Sequence, residues 1–238
     1  SKGVLSGDMS AEQIEIRGPQ ALARKGIDLR AGTRVVAIDR TARQVRLADG
    51  DVLGYAGLAL ATGARLRPLP VPGAGLAGLF GLRTLADTRA LMAALPASRR
   101  AVIVGGGFIG LEAAAVLAKQ GKEITVVEAA GRLMGRAVHP LVSAHFLELH
   151  RSHGVQVELD ALVAEIQGED GRATGVRLAD GRSFPADLVL VGVGVLANDQ
   201  LAAAAGLECE GGIVVDACGR TSDPQVAAAG DCTARRGA

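Results

Sequence analysis

Residues 101–112 read Ala-Val-Ile-Val-Gly-Gly-Gly-Phe-Ile-Gly-Leu-Glu, and an apolar helical run then leads to Glu123-Ile124-Thr125-Val126-Val127-Glu128. The pattern is a buried strand, a tight glycine turn, a helix and a second strand ending in a carboxylate. Gly105, Gly107 and Gly110 stand in G-x-G-x-x-G register. Each glycine has its own reason: Gly105 allows the turn, Gly107 lets backbone N–H groups approach a pyrophosphate, and Gly110 lets helix and strand pack closely. Glu128 ends the second strand, where the acceptor for an adenine ribose belongs. The glycines alone are also compatible with a ligand-free turn. The strand before them, the helix after them and the acid beyond argue for a dinucleotide site, with Phe108 and Ile109 opening the helix.

The 238-residue chain is 49% apolar and 21% charged, enough to bury one large core or two smaller ones. A formal net charge of +1 offers no bulk electrostatic hold on nucleic acid or a membrane surface, and 2% aromatics without Trp give bases nothing to stack on. Ala101 to Ala118 is apolar or glycine except for Glu112, long enough to resemble a membrane span. Its glycines break it into strand and helix, so no membrane segment is expected, and Ser1-Lys2-Gly3 begins no secretory signal. Cys209, Cys218 and Cys232 lack C-x-x-C or metal spacing, so no metal is expected and a cytoplasmic location is the simplest. His139, His145, His150 and His153 crowd one stretch. His145 and His150 miss the i, i+4 spacing of a zinc pair, and all four read as surface histidines.

Before residue 98 the pattern changes. Gly26–Leu29, Thr33–Asp39, Gln44–Leu47 and Val52–Tyr55 are short segments separated by turn signals and predict an antiparallel meander. Gly57–Ala64 reads as one apolar strand ending in Thr62-Gly63. Pro68, Pro70 and Pro72 predict an extended linker, and Leu85–Leu95 a connecting helix. Beyond Glu128, residues 139–153 predict a helix closed by Gly154. Val155–Leu159, Val163–Ile166, Ala173–Leu178 and Ser183-Phe184 predict strands with a turn at Asp180-Gly181. Leu188–Val191 is fully apolar, as a central parallel strand must be, and runs into Gly192-Val193-Gly194. Ile213–Val215 predicts a last short strand before Ala229-Gly230-Asp231.

The order Ala61-Thr62-Gly63, then the glycine fingerprint with Glu128, then Gly192-Val193-Gly194, then Ala229-Gly230-Asp231 resembles the pyridine nucleotide-disulfide oxidoreductase superfamily. More narrowly, Leu5-Ser6-Gly7, Gly32-Thr33-Arg34-Val35, Leu82–Asp87, Gly107–Glu112 and Gly219–Pro224 resemble the ferredoxin reductases of bacterial dioxygenase and P450 systems. The resemblance implies an α/β fold of the two-dinucleotide-binding flavoprotein type. A Rossmann-like NAD-binding domain, parallel sheet plus β-meander, is expected at 98–216, inserted into a partial FAD-binding domain formed by 1–97 and 217–238.

It further implies transfer of hydride from NADH to FAD and of single electrons to a 2Fe-2S ferredoxin, with an oxygenase downstream. Lys2 would face the reactive edge of the flavin, and Glu112 would pair with Lys2 and the nicotinamide. Val35 and Arg83 would contact the adenine half of FAD, Thr62, Gly63 and Gly192–Gly194 would line the cofactors, and Asp231 would accept from the ribityl chain. Arg132 and Arg136 follow Glu128 at loop spacing, as clamps for the NADH phosphates or adenine. Family members open with a second glycine fingerprint for FAD and continue past the Gly-Asp pair; the sequence reads as an excised middle, expected to hold little FAD by itself. Two alternatives stand beside it: an NADH oxidase or disulfide reductase with its redox cysteine upstream, and a non-catalytic NAD-binding remnant.

Overall fold

The computed structural model describes residues 2–10 and 12–235, with Lys2 described by its backbone. The chain divides into two compact units, Ser1–Ile14 with Leu66–Gly194 and Glu15–Arg65 with Val195–Ala238. These divisions differ from the expected boundaries near 98 and 216, for reasons of packing. Strand Leu79–Phe80 pairs with Leu188–Val191, and Leu91 of helix Leu85–Ala94 is fully buried in the core of the first unit. Strand Ile213–Val215 is buried in the core of the second.

In the first unit five parallel strands run in the order Leu79–Phe80, Leu188–Val191, Arg100–Val104, Glu123–Val127, Gln156–Glu158. Strand side chains alternate between faces. Ala101, Ile103, Val126 and Leu190 pack with Leu91, Leu111 and Leu117 from the helices Leu85–Ala94 and Phe108–Lys119. Val102, Val104, Val127 and Val189 pack with Ile166, Val176 and Leu178 of the antiparallel meander Val163–Glu169, Arg172–Leu178, Ser183–Pro185. Both faces are therefore covered, which is why the central strands Leu188–Val191 and Arg100–Val104 show no polar alternation. Val104 lies level with Val127 on one side and Val191 on the other, so three strands end together. The beginnings of two of them, Leu188–Val191 and Arg100–Val104, are tied by Asp187, whose carboxylate accepts from the backbone N–H groups of Arg99 and Arg100, each at 2.9 Å.

The second unit holds the expected meander as Val35–Asp39, Gln44–Leu47 and Val52–Gly54, and two parallel pairs, Leu58–Leu60 with Val226–Ala228 and Ile213–Val215 with Thr233–Arg235. Leu60, Ile213, Val226 and Cys232 share its core.

Three expectations are corrected. Gly26–Leu29 is not a strand: Pro19–Ala23 forms a short helix that Gly26, at φ +71°, closes, with the Ile27 N–H bonded to the Leu22 carbonyl. Gly57–Ala64 is not one strand, because Gly63 at φ +65° separates Leu58–Leu60 from Ala64–Leu66. His150 is not a surface histidine; it is 7% exposed on the inner side of helix Pro140–Ser152, and burial pushes its imidazole below the usual range. Among the described residues no helix is long and apolar enough to cross a membrane, and Ala101–Ala118 divides into strand, turn and helix.

Candidate functional site

The turn between Arg100–Val104 and Phe108–Lys119 uses its glycines as the sequence suggests. Gly105 sits at φ +108°, a conformation that glycine alone adopts readily, and a Cβ there would fall 2.5 Å from the Gly192 carbonyl oxygen. A Cβ on Gly110 would fall 2.2 Å from the Gly105 carbonyl oxygen. Both glycines allow backbone to approach backbone. Gly107 is different: a Cβ on it would meet nothing within 4 Å. Gly107 is also the N-cap of the following helix and provides no side-chain cap. The first N–H groups of a helix lack intrahelical partners and carry its positive dipole end, so an uncapped start beside open space suits an anion.

Glu128 leaves the end of Glu123–Val127 and turns back to this start. Its Oε2 accepts from the Gly106 N–H at 2.6 Å and its Oε1 from the Ala130 N–H at 2.9 Å. An ionised carboxylate offers about four lone-pair sites, so the side chain is oriented by backbone and still has acceptor capacity for sugar hydroxyls. Gly192 lies against Gly105 and donates its N–H to the Val104 carbonyl; Val193 packs on the meander side of the sheet, and the Gly194 carbonyl accepts from Arg67 N–H. The turn thus lies at the carboxyl edge of the sheet, where the strand order reverses, the usual place for a ligand in such folds. Phe108 is 57% exposed and Ile109 44% exposed at the helix start, and Glu112 follows Phe108 by one turn on the exposed face.

The two arginines part company. Arg132 directs its guanidinium into its own loop, to the carbonyls of Gly135 and Val138 and the Ser143 hydroxyl, and is not disposed as a phosphate clamp. Arg136 is exposed in the same loop.

The remaining expected site residues fall in different places. Arg83 is exposed just before helix Leu85–Ala94 of the first unit. The side chain of Lys2 lies outside the described residues. Thr62, Gly63 and Asp231 belong to the second unit and emerge at the carboxyl ends of the paired strands Leu58–Leu60 and Val226–Ala228, with Asp231 exposed after Gly230 at φ +82°. Val35 is half-buried opposite Leu47 in the meander. Thr62 has a partner the sequence did not disclose: its hydroxyl donates to the Asn198 carbonyl at 2.6 Å, and the Asn198 amide donates back to the Thr62 carbonyl at 2.9 Å.

The whole arrangement in the first unit fits a dinucleotide. A family model for pyridine nucleotide-disulphide oxidoreductases matches residues 1–238. The chain belongs to that family. It is 44% identical over 234 residues to rhodocoxin reductase of Rhodococcus erythropolis, covering 98% of this chain and 55% of that protein. It is 43% identical over 237 residues to putidaredoxin reductase of Pseudomonas putida, covering 98% of this chain and 56% of that one. The crystal structure of the covalent putidaredoxin reductase–putidaredoxin complex superposes with a TM-score of 0.93 at 41% identity, over 98% of this chain and 57% of that chain. The chain spans about half the length of the curated relatives it matches.

Proposed function

We propose that the chain is the coenzyme-binding part of an NADH-dependent, FAD-containing ferredoxin reductase that delivers single electrons to a 2Fe-2S ferredoxin serving an oxygenase. The observation that carries this reading is the uncapped, open helix start at Gly107 beside the fixed carboxylate of Glu128. The similarity to rhodocoxin and putidaredoxin reductases supports the choice of reaction. Bound together, the two coenzymes supply a hydride donor and a redox centre that takes an electron pair and releases it one electron at a time.

What this chain's residues do is bind, orient and exclude water. The N–H groups at Gly107, Phe108 and Ile109 would receive the NADH pyrophosphate, Glu128 the ribose hydroxyls, and Arg136 the outer phosphate or adenine edge. Phe108 and Ile109 expose apolar side chains at the helix start and would shield a coenzyme bound there from water. Glu112 presents a carboxylate one turn along the same helix face, and the reading pairs it with Lys2. No side chain acts as nucleophile or general base; position and charge are the protein's contribution.

In this reading the nicotinamide nucleotide belongs to residues 98–216. The flavin belongs to 1–97 and 217–238, with Val35 and Arg83 toward its adenine half, Thr62, Gly63 and Gly192–Gly194 lining the cofactors, and Asp231 toward the ribityl chain. Asp231 and Thr62-Gly63 share one carboxyl sheet edge, which supports that half of the assignment. The free thiols Cys209, Cys218 and Cys232 accord with a cytoplasmic setting. Anaerobic mixing of the flavin-loaded protein with NADH should bleach the flavin absorbance, and putidaredoxin added afterwards should restore it as its own cluster is reduced. A flavin spectrum unchanged at saturating NADH would overturn the reading.

A further inference from the structure

Arg132 stands four residues after Glu128, but its guanidinium is committed to its own loop. Nη1 donates to the Val138 carbonyl at 2.8 Å and to the Ser143 hydroxyl at 3.1 Å, and Nη2 donates to the Gly135 carbonyl. Ser143 is buried, and its hydroxyl donates in turn to the Leu133 carbonyl at 2.6 Å. Arginine suits this work because its planar fork fixes several acceptors at once, which one ammonium does not. The loop is thereby closed onto the first turn of helix Pro140–Ser152, with Leu133 and Met134 turned into the core. Met134 is held at φ +50°, uncommon for a residue with a side chain.

That loop touches the glycine turn at one peptide. The Met134 N–H donates to the Gly106 carbonyl at 2.9 Å, and Leu133 Cδ2 lies 2.5 Å from where a Gly106 Cβ would be. On the other side of the same residue the Gly106 N–H is held by Glu128 at 2.6 Å. A trans peptide is planar, with its C=O and the following N–H directed oppositely. Holding the Gly106 carbonyl toward Met134 therefore turns the Gly107 N–H away from the loop, and the space beside Gly107 is open.

We infer that Arg132 is a positioning residue for the coenzyme, setting the direction of the Gly107 N–H through the Met134–Gly106 hydrogen bond. The inference rests on reading the turn as a dinucleotide site. The test titrates the flavin-loaded, full-length protein with NADH at two salt concentrations, comparing wild type with Arg132→Met, Arg132→Lys and Ser143→Ala. Arg132→Met and Arg132→Lys should both weaken NADH by about tenfold and Ser143→Ala by about threefold, the scale of losing hydrogen bonds to a charged or neutral partner. The salt dependence should be the same in all four proteins, and amide exchange should quicken at Gly107 and Met134. Full affinity in Arg132→Lys, with Arg132→Met weak and less sensitive to salt, would make Arg132 a direct phosphate clamp and overturn the inference. Wild-type affinity in both arginine variants would overturn it as well. Failure of the wild type itself to bind NADH would instead bring down the reading of the turn as a dinucleotide site.

Discussion

Two helices of the first unit begin in opposite ways. Leu85–Ala94 is closed by its own sequence: the Thr84 hydroxyl accepts from the Asp87 N–H at 3.1 Å, and the Asp87 carboxylate accepts from the Thr84 N–H at 2.7 Å. Phe108–Lys119 starts at Gly107 with no side-chain cap at all. Glycine is itself a tolerable N-cap, only about a few tenths of a kcal/mol poorer than a capping side chain, so the glycine start forgoes little stability. What it retains is a set of donors beside open space. The comparison separates glycines that serve the backbone from the one that serves a ligand, and substitution by alanine tells them apart.

Gly105→Ala should have the largest effect. It adds a Cβ 2.5 Å from the Gly192 carbonyl oxygen at a residue held at φ +108°. Strain and clash together should cost about 2–4 kcal/mol in denaturant unfolding and abolish NADH binding. Gly107→Ala adds its methyl to open space at φ −83°, which any residue adopts. Its stability should fall by no more than about 1 kcal/mol, the cost of alanine at an N-cap, while NADH affinity drops at least about tenfold as the methyl meets the approaching phosphates. Equal losses of stability in the two variants would break the distinction.

Glu128 sets the next smaller effect, on coenzyme choice. A carboxylate and a 2′-phosphate charge about 4 Å apart repel by about 1 kcal/mol in water and about 4 kcal/mol at an effective dielectric near 20. Fluorescence titration at fixed salt should show NADH binding at least about tenfold tighter than NADPH. Glu128→Ala should narrow that ratio, but NADH affinity should fall too, because the same carboxylate holds the N–H groups of Gly106 and Ala130. Equal wild-type affinities for the two nucleotides would mean that Glu128 does not face the ribose.

The parts of this site legible in the sequence are those whose physics is local. Gly105, Gly107, Gly110 and Glu128 announce themselves by spacing, and Leu188–Val191 by an apolar run that only a strand covered on both faces tolerates. The rest depends on partners far along the chain. Asn198 holds Thr62 across 136 residues, and nothing around either residue signals the pair. Arg132 looks like a clamp because it follows Glu128; its true acceptors are two loop carbonyls and the Ser143 hydroxyl, none of which its own neighbourhood in the sequence signals. His150 looks exposed among polar neighbours on a helix whose inner face is chosen by the sheet beneath it. Gly26–Leu29 alternates like a strand, but Pro19 and Gly26 bracket a short helix whose closing bonds decide the segment.

The capped helix start sharpens the comparison last and least, through acid. Burial works to raise the Asp87 carboxyl, but hydrogen bonds from the backbone and side chain of Thr84 and from the Arg83 N–H outweigh it and hold the group below its usual range. A carboxyl depressed in the folded state contributes stability that is complete above its unfolded value, about 3.9, and is lost as pH falls through the lower folded value. Asp87→Asn keeps the shape and one acceptor but cannot ionise. At pH 7 it should melt about 1–3 °C below wild type, the shift expected for a fraction of a capping interaction in a chain of this size. As pH falls through the folded value, wild-type Asp87 itself becomes protonated, so the gap between the two proteins should shrink. Gly107→Ala, at a start with no capping side chain to titrate, should instead run parallel to wild type over the same pH range. A gap for Asp87→Asn that is constant with pH would show that the Thr84 start, like the Gly107 start, draws nothing from an ionised cap.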